Sequence, residues 1–323
     1  MTATGTLIHI WNRCHNCGAD PIVGARYECQ VCPAGSDNDL CEACYRLFEQ
    51  GRAKHPLPNA RPAPPGTSHV FRPVEGTARD SYLRYLTVPW SNAAPPTAPE
   101  RFVVRPEFCS GHDSYFGAYG FVVAAEQGGP PFLITALHVM DELIKSKGID
   151  CTAKNAAYTG RELPPLVTAV NLYDVYAKNW MISDLGTAGQ MLTLPGARLG
   201  FEEPNSQSDI AAFRVAPSAS VTPARLAAAA PALGEPIFLA VNSGAGASSR
   251  LTPAITVEST ERTFIFRFQN PVTLPPHGSG APLLNRAGEV VGINVGGGKL
   301  EGQKLGHANH AASIRRHLGW QRA

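Results

Sequence analysis

Residues 275–285 of this 323-residue chain are Pro-Pro-His-Gly-Ser-Gly-Ala-Pro-Leu-Leu-Asn, a proline- and glycine-rich stretch around a single serine. Ser279 lies between Gly278 and Gly280, and glycines let a backbone turn tightly and approach a substrate closely. In such a turn the N–H groups of His277, Gly278 and Ser279 can surround a developing negative charge. The alternative is an ordinary glycine-serine turn in a β protein, so the serine needs partners elsewhere in the chain.

Two upstream segments supply the partners that a serine nucleophile requires. A hydroxyl needs a base to take its proton and an anion to hold that base in the right tautomer. His138 follows an apolar run that predicts a buried strand, and Asp209 precedes the strand-like stretch 210–213. Asp184 is the competing anion. We favour Asp209 because its flank is strand-like and the stretch 231–239 then predicts a turn and another buried strand.

Residues 101–323 resemble a trypsin- or chymotrypsin-like serine peptidase of bacterial type. The matching segments are 135–139 (Thr-Ala-Leu-His-Val), 209–211 (Asp-Ile-Ala), 278–283 (Gly-Ser-Gly-Ala-Pro-Leu) and 292–294 (Gly-Ile-Asn). The resemblance implies a mainly β fold of two six-stranded barrels. It also implies that His138 is the general base, Asp209 the orienting anion and Ser279 the nucleophile, with no cofactor needed for catalysis.

The same resemblance locates a specificity pocket. In this family the residue at the base of the primary pocket lies six positions before the nucleophile, which is Thr273 in this chain. Val295, Gly296 and Gly297 would form a wall with little side chain to narrow it. A buried lysine or arginine of the substrate would find no counter-charge there. We therefore expect cleavage after uncharged residues.

Three Cys-x-x-Cys pairs are concentrated near the start of the chain. They are Cys14/Cys17, Cys29/Cys32 and Cys41/Cys44, and His55 and His69 follow them. Two tetrahedral zinc sites need eight soft or borderline ligands, and these residues number eight. A disulfide framework is disfavoured, because the first residues lack the basic and apolar regions of a signal peptide. His9, His15 and His112 are alternative histidine ligands.

The spacing of the cysteines and the stretches 21–29 and 37–41 resemble a ZZ-type zinc finger. That resemblance implies two structural zinc ions, bound by Cys14, Cys17, Cys41 and Cys44 and by Cys29, Cys32, His55 and His69. Fingers of this family commonly bind peptides through an acidic patch, to which Asp37 and Asp39 would correspond. Alternatively, the finger docks on its own chain or dimerises.

Composition and apolar patterns divide the chain into three parts. We predict a zinc finger over residues 1–72, a partly packed Pro/Ala-rich linker over 73–100 and a peptidase domain over 101–323. Strands are predicted at 120–123, 264–268 and 290–295, and a closing helix at 311–318, with Ser313 as its cap. These predictions fit two modules of unequal size.

Charge and hydropathy narrow the classes of partner. The formal net charge is +2, charged residues make up 17% of the chain, and no basic stripe indicates nucleic acid. No apolar run is long enough to predict a membrane span. Zinc thiolates favour a reducing compartment, so we expect a cytoplasmic protein. Its expected partners are a protein or peptide substrate and a peptide or protein that binds the finger.

The sequence therefore predicts a cytoplasmic serine endopeptidase whose zinc finger recruits a substrate or partner, or regulates activity. The rival hypothesis is a catalytically silent protease-fold scaffold that binds peptides or proteins. An intact set of serine, histidine and aspartate favours the enzyme.

Overall fold

The structure is a computed structural model that describes residues 6–30, 39–53, 69–97, 101–126, 128–147, 164–177, 183–194, 197, 208–242, 251–269 and 278–320. The chain separates into two compact units. The first contains the described residues up to Val88 together with Gly297–Leu305, and the second contains the other described residues. None of the described helices combines the length and apolar character needed to span a bilayer.

The first unit is built from short strands and two helices. These are β1 (Leu7–His9), β2 (Ile22–Val23), β3 (Arg26–Cys29), β4 (Asp39–Cys41), α1 (Glu42–Glu49), β5 (Phe71–Val74), β6 (Thr77–Ala78) and α2 (Arg79–Thr87). The strands form two sheets, ordered β2-β1-β6 and β4-β3-β5. Residues 73–88, where we predicted the start of a partly packed linker, thus lie in this unit, in β5, β6, α2 and the residues next to them.

A small core holds the finger together. Cys14, Ile22, Leu40 and Cys44 are buried in it. Aromatic rings cover this core, and the rings of Tyr27 and Tyr45 stack with centroids 3.9 Å apart. A core of so few apolar residues stabilises a fold only marginally, and segments of this size commonly need added cross-links such as bound metal.

The tip of one long hairpin is part of the same unit. Lys299 donates its backbone N–H to the carbonyl oxygen of Ile10 at 3.1 Å, and its ammonium lies 3.0 Å from the carboxylate of Asp20. Arg79 forms a second ion pair with Glu301 at 2.8 Å. Residues 297–305 are therefore tied to the first unit by backbone and side-chain contacts.

The second unit begins with a closed six-stranded barrel. Its strands are β7 (Val103–Ser110), β9 (Gly120–Val123), β10 (Phe132–Thr135), β11 (Ala169–Asp174), β12 (Asp184–Met191) and β13 (Ala211–Val215), and β8 (Asp113–Phe116) pairs with β7 outside the ring. The ring order is β7-β9-β10-β13-β12-β11, and β11 closes it by pairing antiparallel with β7 from Ala169↔Cys109 to Asp174↔Val104. Strands β9 and β10 are buried at every position, which explains their continuous apolar sequences.

The second barrel is also closed. Its strands are β14 (Pro236–Ala240), β15 (Leu251–Ser259), β16 (Thr263–Phe268), β17 (Pro282–Leu284), β18 (Val290–Leu300) and β19 (Gln303–His310), in the ring order β14-β15-β16-β19-β18-β17. The predicted fold class, two six-stranded barrels with a small N-terminal zinc-binding domain, is confirmed.

The helices of the second unit are short. A 3₁₀ helix spans Leu137–Met140, α3 spans Asp141–Ser146 and α4 spans Ala311–His317. The closing helix is thus present as predicted, but His310 is its N-cap rather than Ser313. The Ser313 hydroxyl instead donates to the carbonyl oxygen of Arg262 at 3.0 Å.

Candidate active site and metal centre

The structure brings His138 and Asp209 together at the first barrel. His138 lies in the 3₁₀ helix just after β10, and Asp209 lies just before β13. Because β10 and β13 pair antiparallel, with Thr135 opposite Ala211, the end of one strand and the start of the other are adjacent. The two residues are 71 positions apart in the sequence, and the register of the barrel strands makes their side chains neighbours.

Asp209 contacts His138 at two points. Its Oδ1 accepts the His138 backbone N–H at 2.9 Å, and its Oδ2 lies 2.5 Å from the ring Nδ1. Asp209 has no exposed surface, and His138 is 9% exposed. Since an ionised carboxylate can only accept, the contact places the ring proton on Nδ1 and leaves Nε2 as the basic nitrogen.

Asp184, the competing anion, is engaged elsewhere. It starts β12, and its Oδ1 accepts the backbone N–H of Gly186 at 2.7 Å. This is a local turn contact of the kind that aspartates commonly make. The geometry therefore pairs the histidine with Asp209.

Ser279 lies in a tight turn before β17. Gly280, the next residue, has a φ of +80°, and a Cβ added there would lie 2.1 Å from the carbonyl oxygen of Tyr119. Any side chain at this position would collide with the Tyr119 backbone, so the turn requires glycine there. The sequence pattern around the serine thus reflects both backbone conformation and close packing.

Tyr119 links the serine turn to the histidine segment. Its N–H donates to the carbonyl oxygen of Ser279 at 3.2 Å, and its own carbonyl oxygen accepts the Thr135 hydroxyl at 2.6 Å. Thr135 is three residues before His138. The Tyr119 phenol oxygen also accepts the backbone N–H of Asn242 at 3.2 Å, and burial raises the pKa of this phenol. The serine of the second barrel and the histidine of the first are therefore held through one residue.

Sequence reasoning missed the roles of Tyr119 and Asn294. The side-chain amide of Asn294 donates to the carbonyl oxygen of Gly278 at 2.8 Å. Its backbone N–H and C=O pair with Ala281 and Gly280 respectively. Asn294 belonged to a recognised motif, but nothing in the local sequence shows which turn its side chain contacts.

The predicted pocket residues lie only partly within the described chain. Thr273 and the oxyanion residue His277 lie outside the described residues. Val295 is fully buried. Gly296 is half-buried, and Gly297 is exposed.

The four sulfurs of Cys14, Cys17, Cys41 and Cys44 form a cluster in the first unit. All lie within 4.8 Å of one another, and the sulfurs of Cys17 and Cys41 are 3.8 Å apart. Four thiolates at such separations match the tetrahedral donor set of structural zinc. Among the described residues, this is the only group of its kind.

The local structure around these cysteines shifts the pKa values of their thiols. Burial raises the pKa of the Cys14 thiol, but the backbone N–H groups of Cys17, Cys41 and Asn16 outweigh burial and lower it to about 7. Burial raises the pKa of Cys44 to about 12. A bound zinc ion would displace the remaining thiol protons, and its charge would compensate four thiolates so close together, so the donor chemistry fits zinc.

The second predicted zinc site is seen in part. The sulfur of Cys29 lies 3.4 Å from Nδ1 of His69, and burial lowers the pKa of that histidine, which favours the neutral, metal-binding form. Cys32 and His55 lie outside the described residues. His15, one of the alternative ligands, instead accepts the backbone N–H of Asp39 at 3.0 Å through its Nδ1.

Asp39 has a structural role inside the finger. Its carboxylate forms an ion pair with Arg26 at 3.3 Å and accepts a hydrogen bond from Asn12 at 3.1 Å. Arg26 is buried, so this pair compensates an otherwise costly charge. A peptide amine would have to compete with Arg26 for this carboxylate. Asp37 lies outside the described residues.

Comparison with known families finds two matches. Residues 118–293 match the trypsin-like peptidase domain, and residues 8–55 match the ZZ-type zinc finger. The first match includes His138, Asp209 and Ser279, whereas the second ends at His55 and excludes His69. The predicted resemblance to both families is confirmed. No curated protein sequence matches the chain significantly.

Similar solved structures are bacterial proteases. The active form of the Rv3671c protease from M. tuberculosis is 17% identical and has a TM-score of 0.40, with 72% of this chain and 92% of that chain covered. An inactive serine-to-alanine mutant of Rv3671c has 15% identity, a TM-score of 0.41, and coverage of 72% and 98%. The serine endoprotease from Yersinia pestis has 16% identity, a TM-score of 0.39, and coverage of 74% and 65%.

Proposed function

This chain belongs to the trypsin-like peptidases, and we propose that it is a serine endopeptidase that uses Ser279, His138 and Asp209. The observation that carries the proposal is the two-point contact of the buried Asp209 with His138. This contact fixes the imidazole plane and presents Nε2 as a base. It is the arrangement that activation of a serine hydroxyl requires.

In the proposed reaction, His138 Nε2 takes the hydroxyl proton as Ser279 Oγ attacks the substrate carbonyl carbon. Asp209 stabilises the imidazolium that forms. The histidine then gives the proton to the leaving amine, and an acyl-enzyme remains on Ser279. Water, deprotonated by the same histidine, hydrolyses the acyl-enzyme and frees the serine.

The serine turn limits which groups can bind the oxyanion. The N–H groups of Gly280 and Ala281 donate to the carbonyl oxygens of Asn294 and Gly278 within the turn. An oxyanion would therefore be bound by the N–H of Ser279 and of the residues before it, Gly278 and His277. One such donor contributes about 3 kcal/mol to the transition state.

We propose a supporting role for the zinc finger. Two zinc ions would stabilise it, and catalysis would need neither, because Ser279, His138 and Asp209 supply the acid–base groups. The finger would recruit a peptide or protein partner or regulate the peptidase. We further propose a cytoplasmic location, protein or peptide substrates with an uncharged residue before the cleaved bond, and no nucleic-acid or membrane partner.

A fluorophosphonate probe tests the proposed function. We expect the purified full-length chain to be labelled covalently on Ser279, because only an activated serine attacks this phosphorus centre. Ser279→Ala and His138→Ala should abolish labelling, since nucleophile and base act as a unit. Ser91→Ala serves as the matched control and should be labelled like the wild type.

The same experiment distinguishes the enzyme from the silent scaffold. Labelling that persists in Ser279→Ala would contradict the assignment of the nucleophile. A folded wild-type chain that stays unlabelled across pH 6–9 would favour the scaffold hypothesis.

A further inference from the structure

Asn294 contacts the serine turn on both sides of Ser279. Its side-chain Nδ2 donates to the carbonyl oxygen of Gly278 at 2.8 Å. Its backbone carbonyl oxygen accepts the N–H of Gly280 at 2.8 Å, and its backbone N–H donates to Ala281 at 2.9 Å. The backbone pairs belong to the β17–β18 region, but the side-chain contact fixes a peptide group that precedes the first residue of β17.

That peptide group carries the N–H of Ser279. The carbonyl of Gly278 and the N–H of Ser279 belong to the same trans peptide, in which the two groups point in opposite directions. Holding the carbonyl towards Asn294 therefore turns the N–H of Ser279 away from Asn294. A rotation of this peptide would exchange the two directions, so that the Gly278 carbonyl oxygen, an acceptor, would take the place of the Ser279 N–H, a donor.

The orientation of the Asn294 amide is determined by its partner. A carbonyl oxygen can only accept, so the amino group of the amide must face Gly278. Asn294 is 7% exposed, and among the described residues nothing donates to its buried Oδ1. A buried acceptor without a donor is destabilising. The amide of Asn294 therefore keeps the contact of its Nδ2 with Gly278, while its Oδ1 has no donor among the described residues.

We propose that Asn294 is a positioning residue for the oxyanion hole, which holds the Gly278–Ser279 peptide so that the Ser279 N–H faces the substrate oxygen. This inference rests on the proposed function, because it takes Ser279 as the nucleophile. Asn294 does not touch the reacting atoms. Its side chain acts only through the peptide that it orients.

The test compares two changes at Asn294 with a control on the same hairpin. Asn294→Ala removes the side-chain donor to the Gly278 carbonyl oxygen and leaves the longer contact from the Ala281 N–H at 3.2 Å. Asn294→Asp keeps the side-chain shape but replaces the side-chain donor with an oxygen. Asn285→Ala changes the turn between β17 and β18, where Asn285 Oδ1 accepts the N–H groups of Ala287 and Glu289. The full-length variants are assayed with 4-nitrophenyl acetate, and circular dichroism and thermal melting report their folding.

We expect both Asn294 variants to lose activity in kcat with KM within about twofold of the wild type. The oxyanion exists only after the substrate is bound, so its stabilisation affects kcat rather than KM. The expected loss is about 10- to 100-fold, below the 10²- to 10³-fold loss when a donor is removed outright. Fluorophosphonate labelling should slow in parallel, and Asn285→Ala should keep a wild-type kcat.

The outcomes separate this inference from the proposed function. If the wild type neither hydrolyses the ester nor reacts with fluorophosphonate, the proposed function fails and this inference fails with it. If the wild type is active but a folded Asn294 variant keeps more than half of the kcat, or loses activity only through KM, this inference alone is overturned. It is also overturned if neither Asn294 variant folds, because Asn294 is then a structural residue.

Discussion

The two carboxylate oxygens of Asp209 bind different groups of one histidine. Oδ1 accepts the backbone N–H of His138, and Oδ2 faces its ring Nδ1. The first contact fixes where the histidine backbone lies, and the second fixes which nitrogen carries the proton. A carboxylate with no exposed surface is stable here only because both oxygens have donors.

The first prediction, at the scale of the residue, concerns the two aspartates. Asp209→Asn should lower kcat by about 10⁴-fold, because an amide that donates to Nδ1 would force the wrong tautomer on His138. Asp184→Asn is the matched control. Its Oδ1 accepts the local N–H of Gly186, and an asparagine oxygen can replace this acceptor, so kcat should stay within about twofold.

Initial rates with a peptide or ester substrate, together with melting temperatures, check this prediction. Loss of activity in Asp184→Asn with full activity in Asp209→Asn would reverse our assignment. Loss of folding in Asp209→Asn would be visible in the melts, and loss of activity in a variant that melts like the wild type reports a catalytic defect.

The choice between the two aspartates shows how far sequence reasoning reached at this scale. The strand-like flank favoured Asp209 because an aspartate at the start of a paired strand can face the strand beside it. The contact itself depends on the antiparallel register of β10 and β13, with Thr135 opposite Ala211. A register shift of one residue would have turned the side chain to the other face.

Strand β18 is longer than its sequence predicted. We predicted a strand over residues 290–295, and the observed strand continues to Leu300 through Gly296, Gly297 and Gly298. Three glycines usually predict a loop, because glycine weakens a strand. At Gly298 the reason for glycine is close approach, since a Cβ there would lie 1.9 Å from the carbonyl oxygen of Ile10.

The second prediction, at the scale of the element, concerns this close approach. Gly298→Ala should destabilise the first unit by about 1–3 kcal/mol, because the Ile10 backbone must move to accommodate a methyl group. Gly296→Ala is the matched control on the same strand. Its added Cβ would have no atom within 4 Å, so it should change stability by less than about 0.5 kcal/mol.

Hydrogen exchange of the amides in residues 6–30 and 299–305 measures this effect locally. Faster exchange in Gly298→Ala than in Gly296→Ala is the expected result. Equal protection in the two variants would show that the Ile10 and Lys299 pairing does not depend on glycine at 298.

The finger and the barrels gain stability from different sources. The barrels bury continuous apolar strands, whereas the finger has only a small core around its cysteines. Structural zinc binding contributes about 10–16 kcal/mol in isolated fingers, which is enough to decide whether such a segment folds. The two units should therefore respond differently to removal of metal.

The third prediction, at the scale of the whole molecule, concerns zinc. Purified protein should contain about two zinc ions per chain, and Cys14→Ser should reduce this to about one, because the remaining three sulfurs lose a tetrahedral ligand. Cys109→Ser is the control and should keep both ions. Its thiol contacts the Glu107 carbonyl oxygen and the Asn171 amide and belongs to no metal-binding cluster within the described residues.

Elemental analysis counts the ions, and limited proteolysis with a chelator reports which unit unfolds. We expect cleavage within residues 10–71 and intact barrels, because the eight ligands that the resemblance implies all precede the barrels in the chain. Metal-free protein with an intact finger would contradict the prediction, as would zinc that remains at two per chain in Cys14→Ser.

Features that depend on a few neighbouring residues were predictable from local sequence. A Cys-x-x-Cys pair places two sulfurs on one turn, and a serine between glycines predicts a tight turn, because these geometries are set within one or two turns of backbone. Strands such as β9 and β16 were predictable for the same reason, since a short apolar run is stable where it can be buried.

Tertiary structure alone decided how these local pieces meet. The contact of Asp209 with His138, the hold of Asn294 on Gly278 and the ion pair of Arg26 with Asp39 join residues that are 71, 16 and 13 positions apart. Each contact depends on strand register, barrel closure or the path of a turn. These features leave little trace in the local sequence, although a small change in them would separate the two residues in space. The identity of a side chain therefore determines which chemistry is available, and the register of the barrel strands determines which residue that side chain contacts.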